Sequence, residues 1–255
     1  MQWIITTIVF GVLFLFMIAY LFVQIRLESK KEKAAYKKGG DETFAWILEA
    51  GYSQKVSEFH LLNEKATPNQ VVLVGDSLTD NYPVNECFLD LPYKVYNRGI
   101  GGDTTSGLLK RMDESVYELN PRVVVLLIGI NDFALKEGTT PQSLANSIEG
   151  IITQIHTRLP ETKVILEAIY PVNKSGTAKI DHGSVDNKDN GLINETNSLL
   201  KDIKGVRFLD LSNVLKDENG ELKLEYTREG LHLNTNGYFA ITPLIEKEVE
   251  QALKE

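Results

Sequence analysis

Five runs rich in β-branched and aromatic residues constrain the architecture of this chain: VVLVG (71–75), YKVYN (93–97), RVVVLLIG (122–129), VILEAIY (164–170) and VRFLDL (206–211). A run that is apolar without alternation must be covered on both faces, which suits a parallel strand flanked by helices. Helical periodicity falls between the runs, over Thr105–Glu118, Pro141–Leu159, Lys188–Lys201 and Thr235–Leu253. Strand then helix, repeated, predicts an α/β domain around a parallel sheet, and right-handed crossovers place helices on both faces to make three layers. Ligands of such sheets bind beyond the carboxyl ends of the strands, so the residues that close each run are the ones to read for chemistry.

The first run ends in Gly75-Asp76-Ser77-Leu78-Thr79. A serine just past a buried strand projects from the sheet edge, although Asp-Ser in this position also reads as a helix cap. The second is followed by Asn97-Arg98-Gly99-Ile100-Gly101-Gly102-Asp103-Thr104-Thr105, a glycine-rich loop able to present backbone N–H groups to an anion. It lacks the third glycine of a dinucleotide fingerprint and the Gly-Lys-Ser/Thr of a P-loop. Gly129-Ile130-Asn131-Asp132 closes the third and longest run, where Asn131 can aim an amide at the same space or simply cap a helix. Near the C-terminus, Thr227-Arg228-Glu229-Gly230-Leu231-His232-Leu233 sets a histidine three residues after a carboxylate, just before the last helix. Metal ligation by Glu229 and His232 would need further ligands, and no HExxH or histidine cluster supplies them. His60 and His156 lie on predicted helices. His182 lies in the long polar loop Asn173–Asn190, which leaves the sheet at its ligand-binding end, and is a reserve candidate for a base.

Taken together, Gly-Asp-Ser-Leu, the Gly-x-Gly-Gly-Asp-Thr-Thr loop, Gly-x-Asn-Asp and the late histidine, in this order, resemble the SGNH (GDSL) hydrolases over about residues 70–253. The Gly102–Thr105 segment is similar to that of the platelet-activating-factor acetylhydrolase-like branch. The resemblance implies a flavodoxin-like three-layer α/β/α fold with five parallel strands in the order 2-1-3-4-5, an open site and no cofactor or metal. It implies Ser77 as nucleophile and His232 as base, oriented by Glu229. The Ser77 N–H, the Gly102 N–H and the Asn131 amide would form the oxyanion hole, with Asp76, Asp103 and Asp132 in support. The family pattern has Asp where this chain has Glu229, one methylene longer. The implied activity is a serine esterase or acylhydrolase acting on a small-molecule, lipid or glycan ester. A lysophospholipase or thioesterase is the alternative, and a binding module with a decayed site is a third.

Ahead of this region, Trp3–Val23 is an apolar run of 21 residues without a charge, long enough as a helix to span about 30 Å, the thickness of a bilayer core. It has no basic n-region and no small-residue cleavage site, so it reads as a retained single-pass anchor rather than a signal peptide. Arg26, Lys30, Lys31, Lys33, Lys37 and Lys38 follow it, which by the positive-inside rule puts the catalytic domain in the cytoplasm. The expected organisation is an anchor with a basic juxtamembrane segment over 1–40, a connecting helix and linker over 41–67, and the hydrolase domain over 68–255. A net charge of −8 with no broad basic stripe argues against a nucleic-acid partner. The single cysteine, Cys87, rules out an intrachain disulfide.

Overall fold

The computed structural model describes residues 24, 26–31, 46, 49–175 and 179–255. The chain divides into two compact units, Met1–Ser53 and Gln54–Glu255. In the first, residues 26–31 and 49–53 are helical. The run Trp3–Val23 lies outside the described residues. Among the described residues no helix is long and apolar enough to cross a membrane, so the fold lends no support to the expected N-terminal transmembrane helix.

The second unit is built on five parallel strands: β1 (Val71–Gly75), β2 (Val95–Gly99), β3 (Val123–Leu127), β4 (Lys163–Glu167) and β5 (Arg207–Leu209). Their spatial order is β2-β1-β3-β4-β5, the order expected. β1 and β3 are buried along their whole length, because they occupy the middle of the sheet and carry no polar face. β2 begins two residues later than its apolar run suggests, and its register against β1 pairs Gly75 with Gly99. Both glycines thus reach the sheet edge together, and a Cβ on Gly75 would sit 2.0 Å from the Leu127 carbonyl oxygen. Only glycine lets the chain turn there so near β3.

Four helices and one short helical turn frame the strand ends: the turn α1 (Ser77–Asp80), then α2 (Thr105–Lys110), α3 (Pro141–Arg158), α4 (Asn190–Leu200) and α5 (Thr235–Ala252). α2 and α4 each pack against α3, while α5 packs against β4 and β5. In α3, Thr140 and Ser143 form a reciprocal capping box across Pro141, satisfying N–H groups that the first turn leaves without partners. Leu144, Ile148, Ile151, Ile152 and Ile155 then form its buried stripe.

The helix expected over Thr105–Glu118 is broken. α2 stops at Lys110, a separate turn covers Met112–Ser115, and Arg111 between them has φ −123° and ψ 22°. The cause is the Arg111 side chain, which turns inward to bind backbone and side-chain acceptors at the strand ends. Residues 54–63, placed by sequence in the connecting segment, are helical and belong to the same compact unit as the sheet.

Candidate active site

Ser77 is the first residue of α1, immediately beyond β1. At that position a backbone N–H has no intrahelical acceptor. Asp76 caps the helix, its Oδ1 accepting from the Leu78 N–H at 3.0 Å. Tyr238 of α5 donates its hydroxyl to the Leu78 carbonyl at 2.8 Å, tying the turn to the last helix. Asp76 is 1% exposed. Burial pushes its carboxyl up to about 7, the Leu78 N–H opposes that, and the nearby Asp103 and Asp132 add to it.

The histidine arrives from the far end of the chain. The His232 Nε2 lies 2.9 Å from the Ser77 Oγ, and its Nδ1 lies 2.5 Å from the Glu229 Oε1. The same carboxylate oxygen accepts the His232 backbone N–H at 3.0 Å. With the carboxylate as acceptor, Nδ1 carries the proton and Nε2 is left to accept from the serine hydroxyl. Glu229 therefore reaches the imidazole despite its extra methylene. Both side chains stay about one-quarter exposed, so the pair lies at the surface, open to an entering substrate.

The glycine loop closes on the same place. A Cβ built on Gly101 would come within 4.0 Å of the Ser77 Cβ, and the next residue, Gly102, is exposed with φ +77°. The Asn131 Nδ2 donates to the Asp103 carbonyl at 2.9 Å, which leaves the second hydrogen of its amide to spare. Asp132 receives the Thr105 N–H at 3.0 Å and the Thr105 hydroxyl at 2.5 Å, fixing the start of α2. The arrangement thus gathers Ser77, His232 and Glu229 in one hydrogen-bonded line, sets the Gly101–Gly102 turn beside Ser77, and uses Asp76, Asp103 and Asp132 as internal ties. His182 is not part of it: its Nδ1 pairs with Asp186 at 2.9 Å on the exposed surface.

Three further contributors were given no role by the sequence: Arg111 and Asp80 lie outside its motifs, and Asn97 only opens the glycine loop. Arg111, 1% exposed, donates to the Asp103 carboxylate at 2.7 Å, to the Arg98 carbonyl at 2.7 Å and to the Gly75 carbonyl at 2.8 Å. One guanidinium thereby joins the ends of β1 and β2 to the glycine loop. A signal for it exists, since position 111 falls on the apolar stripe of its helix three residues after Leu108, where a charge has no ordinary reason to be. Asp80 accepts the Gly101 N–H at 3.0 Å and pairs with Lys55. Asn97 bridges the Thr79 carbonyl at 2.7 Å and the Gly99 N–H at 2.8 Å. Neither of these last two carries a pattern that sequence could separate from ordinary loop polarity.

A family model described as GDSL-like lipase/acylhydrolase matches residues 73–240. A rat protein, platelet-activating factor acetylhydrolase IB subunit alpha2, is 28% identical over 202 residues, spanning 76% of this chain and 82% of the rat protein. Among solved structures, a Streptococcus pneumonia protein provisionally assigned as a platelet activating factor superposes with a TM-score of 0.73 at 28% identity, covering 81% of this chain and 96% of its own. A GDSL-like lipase from Bacteroides thetaiotaomicron superposes with a TM-score of 0.63 at 24% identity over 80% of this chain and 98% of its own, a likeness of fold.

Proposed function

Because the chain belongs to the GDSL-like lipase/acylhydrolase family, and so to the carboxylic ester hydrolases, we propose that it cleaves its ester through an acyl-enzyme on Ser77. The observation that carries this reading is the continuous line from Glu229 through His232 to the Ser77 hydroxyl, at 2.5 and 2.9 Å. The Ser77 Oγ attacks the ester carbonyl carbon while its proton passes to the His232 Nε2. The tetrahedral intermediate collapses, the acyl C–O bond breaks, and the departing alcohol takes the proton from Nε2. A water then attacks the acyl-enzyme, with His232 again the base, releasing the acid and restoring the serine. Glu229 holds the imidazole in the required tautomer and stabilises its transient charge.

The developing oxyanion is assigned to the Ser77 N–H, the Gly102 N–H and the Asn131 amide. Preorganised donors of this kind are worth about 3–4 kcal/mol each in acyl transfer. The Asn131–Asp103 bond and the Asp132–Thr105 pair support their preorganisation, because both fix the loop before substrate arrives. The acyl group is proposed to be small, in keeping with the acetylhydrolase relatives. Comparison of nitrophenyl acetate with nitrophenyl octanoate separates this from a lysophospholipase-like preference. We further propose that Trp3–Val23 anchors the protein in a membrane with the hydrolase domain in the cytoplasm, supported by its 21 uncharged residues and the lysines beyond it.

One experiment tests both parts. The full chain, expressed in cells, is fractionated, washed with alkaline carbonate and treated with a fluorescent fluorophosphonate. We expect a labelled band that stays with the membrane pellet and disappears in Ser77→Ala and His232→Ala. Folded protein that never labels would sink the acyl-enzyme reading, and label released by carbonate would sink the anchor.

A further inference from the structure

The peptide that links Glu229 to Gly230 is held on every side by polar partners. Its carbonyl, Glu229 O, accepts the Asp181 N–H at 2.8 Å, and its N–H, on Gly230, donates to the Thr227 hydroxyl at 2.8 Å. The next carbonyl, Gly230 O, accepts the Asn173 N–H at 2.8 Å. Thr227 is fully buried, and its hydroxyl also donates to the His232 carbonyl at 2.9 Å. Gly230 has φ +107°, and a Cβ there would lie 2.6 Å from the Asn173 carbonyl oxygen and 3.0 Å from Val185. The turn carrying Glu229 is therefore pressed against the segment that leaves β4, with no room to shift toward it.

Asn173 is the fixed point of that segment. It is fully buried, and both polar atoms of its amide are engaged. The Nδ2 donates to the Leu222 carbonyl at 2.7 Å, while Oδ1 accepts the Ser175 N–H and hydroxyl, each at 2.9 Å. The Leu222 N–H returns a bond to the Val172 carbonyl at 3.3 Å. These bonds fix the backbone of residue 173, whose N–H in turn holds the Gly230 carbonyl.

The backbone that carries Glu229 is consequently held by Thr227 from within the turn and by the loop after β4 from outside it. From the Asn173 N–H bond to the Gly230 carbonyl, we infer that Asn173 is a positioning residue that holds the Glu229–Gly230 turn where the glutamate carboxylate meets His232. An aspartate from the same Cα stops about 1.5 Å short, one carbon–carbon bond. It could not accept from the His232 Nδ1 and the His232 backbone N–H together, as the Glu229 Oε1 does. Misplacement on the scale of 1 Å costs on the order of 100-fold in rate at sites of this kind.

This inference rests on the acyl-enzyme reading, and the test separates the two. Fluorophosphonate labelling rates are measured for wild type, Glu229→Asp, Asn173→Ala and the double variant, alongside the downfield proton resonance of the His232 Nδ1 hydrogen. We expect Glu229→Asp to label about 100-fold more slowly, with unchanged melting temperature and a displaced or lost downfield resonance. Asn173→Ala should be slower to a smaller extent. The double variant should label faster than the product of the two losses, because a released turn lets the shorter carboxylate approach. If wild type labels and Glu229→Asp matches it in rate and resonance, the inference is overturned. It is equally overturned if the two losses simply multiply. Wild type that fails to label overturns the acyl-enzyme reading instead. Should Asn173→Ala not fold, Asn173→Ser takes its place in the double-variant comparison, read by the same two outcomes.

Discussion

Around Ser77 the backbone is fixed by side chains, two of them buried, whereas around His232 it is fixed chiefly by other backbone. On the nucleophile side, the Arg111 guanidinium, the Asp132 carboxylate and the Asn97 amide tie together strand ends, the glycine loop and the start of α2. On the base side, the Asp181 and Asn173 N–H groups hold consecutive carbonyls of the turn, and Thr227 pairs with Leu233 as an isolated bridge. Side-chain ties depend on residue identity, so a change there removes the tie and strands a buried partner. Backbone ties survive changes of side chain, so the turn keeps its place whichever carboxylate it carries. They demand instead that the side chain fit the distance the backbone sets.

The largest effect is expected where that contrast is sharpest. Arg111→Met should lower the unfolding free energy by about 3–5 kcal/mol, because Asp103 keeps a buried charge without its partner. Denaturant titration checks this. A loss well under about 1 kcal/mol would mean that the nucleophile side is held by backbone too, and the comparison would break.

Each side also carries a buried carboxyl pushed up to about 7. Asp76 stands beside the nucleophile. Glu167, at the end of β4 where the segment toward Asn173 begins, is raised by burial with the Tyr170 hydroxyl donating to it at 2.6 Å. Both ordinary values are lower, 3.8 and 4.5, so the folded state binds more protons than the unfolded one in the interval between. Their contribution to stability is therefore complete below the ordinary values and is lost as pH rises through about 7. The melting temperature should fall between about pH 5 and pH 8, and Glu167→Gln should flatten that fall by raising the value at the alkaline end. Scanning calorimetry across the range measures it. A curve equally steep in the variant would remove Glu167 from the account and leave Asp76 to explain the slope.

The smallest effect belongs to the exposed margin of the nucleophile side. Lys55 pairs with Asp80, which receives the Gly101 N–H at 3.0 Å. More than a third of the lysine side chain is exposed, so Lys55→Ala should cost less than about 1 kcal/mol of stability. It should nevertheless slow fluorophosphonate labelling a few-fold by loosening Gly101 beside Ser77. Labelling at the wild-type rate would show that Asp80 holds the loop unaided.

Much of the nucleophile side is legible in the sequence. Gly75-Asp76-Ser77, the glycine loop and Asn131-Asp132 stand directly after apolar runs, and the alternation of runs with helical stretches points to the α/β sheet that is observed. Arg111 belongs to no motif, although a lone charge on an apolar stripe marks it. The break at Arg111 runs against local periodicity, which favours a helix through it; only the acceptors at two strand ends and in the glycine loop outweigh that preference. The base side is legible as a motif, Glu229 to His232, but not as a mechanism for holding it. Asn173 reads as one polar residue of a polar loop.

By itself, then, the sequence determined the elements and the chemical groups: apolar runs without alternation must be covered on both faces, and the hydroxyl, imidazole and carboxylate side chains stand in short motifs outside them. The tertiary structure decided which groups meet and at what distance. Ser77 and His232 approach to 2.9 Å across 155 positions of chain, and the reach demanded of Glu229 is set by hydrogen bonds from residues 173 and 181. Backbone N–H and carbonyl groups are the same at nearly every position, so bonds between them leave no trace in the order of residues.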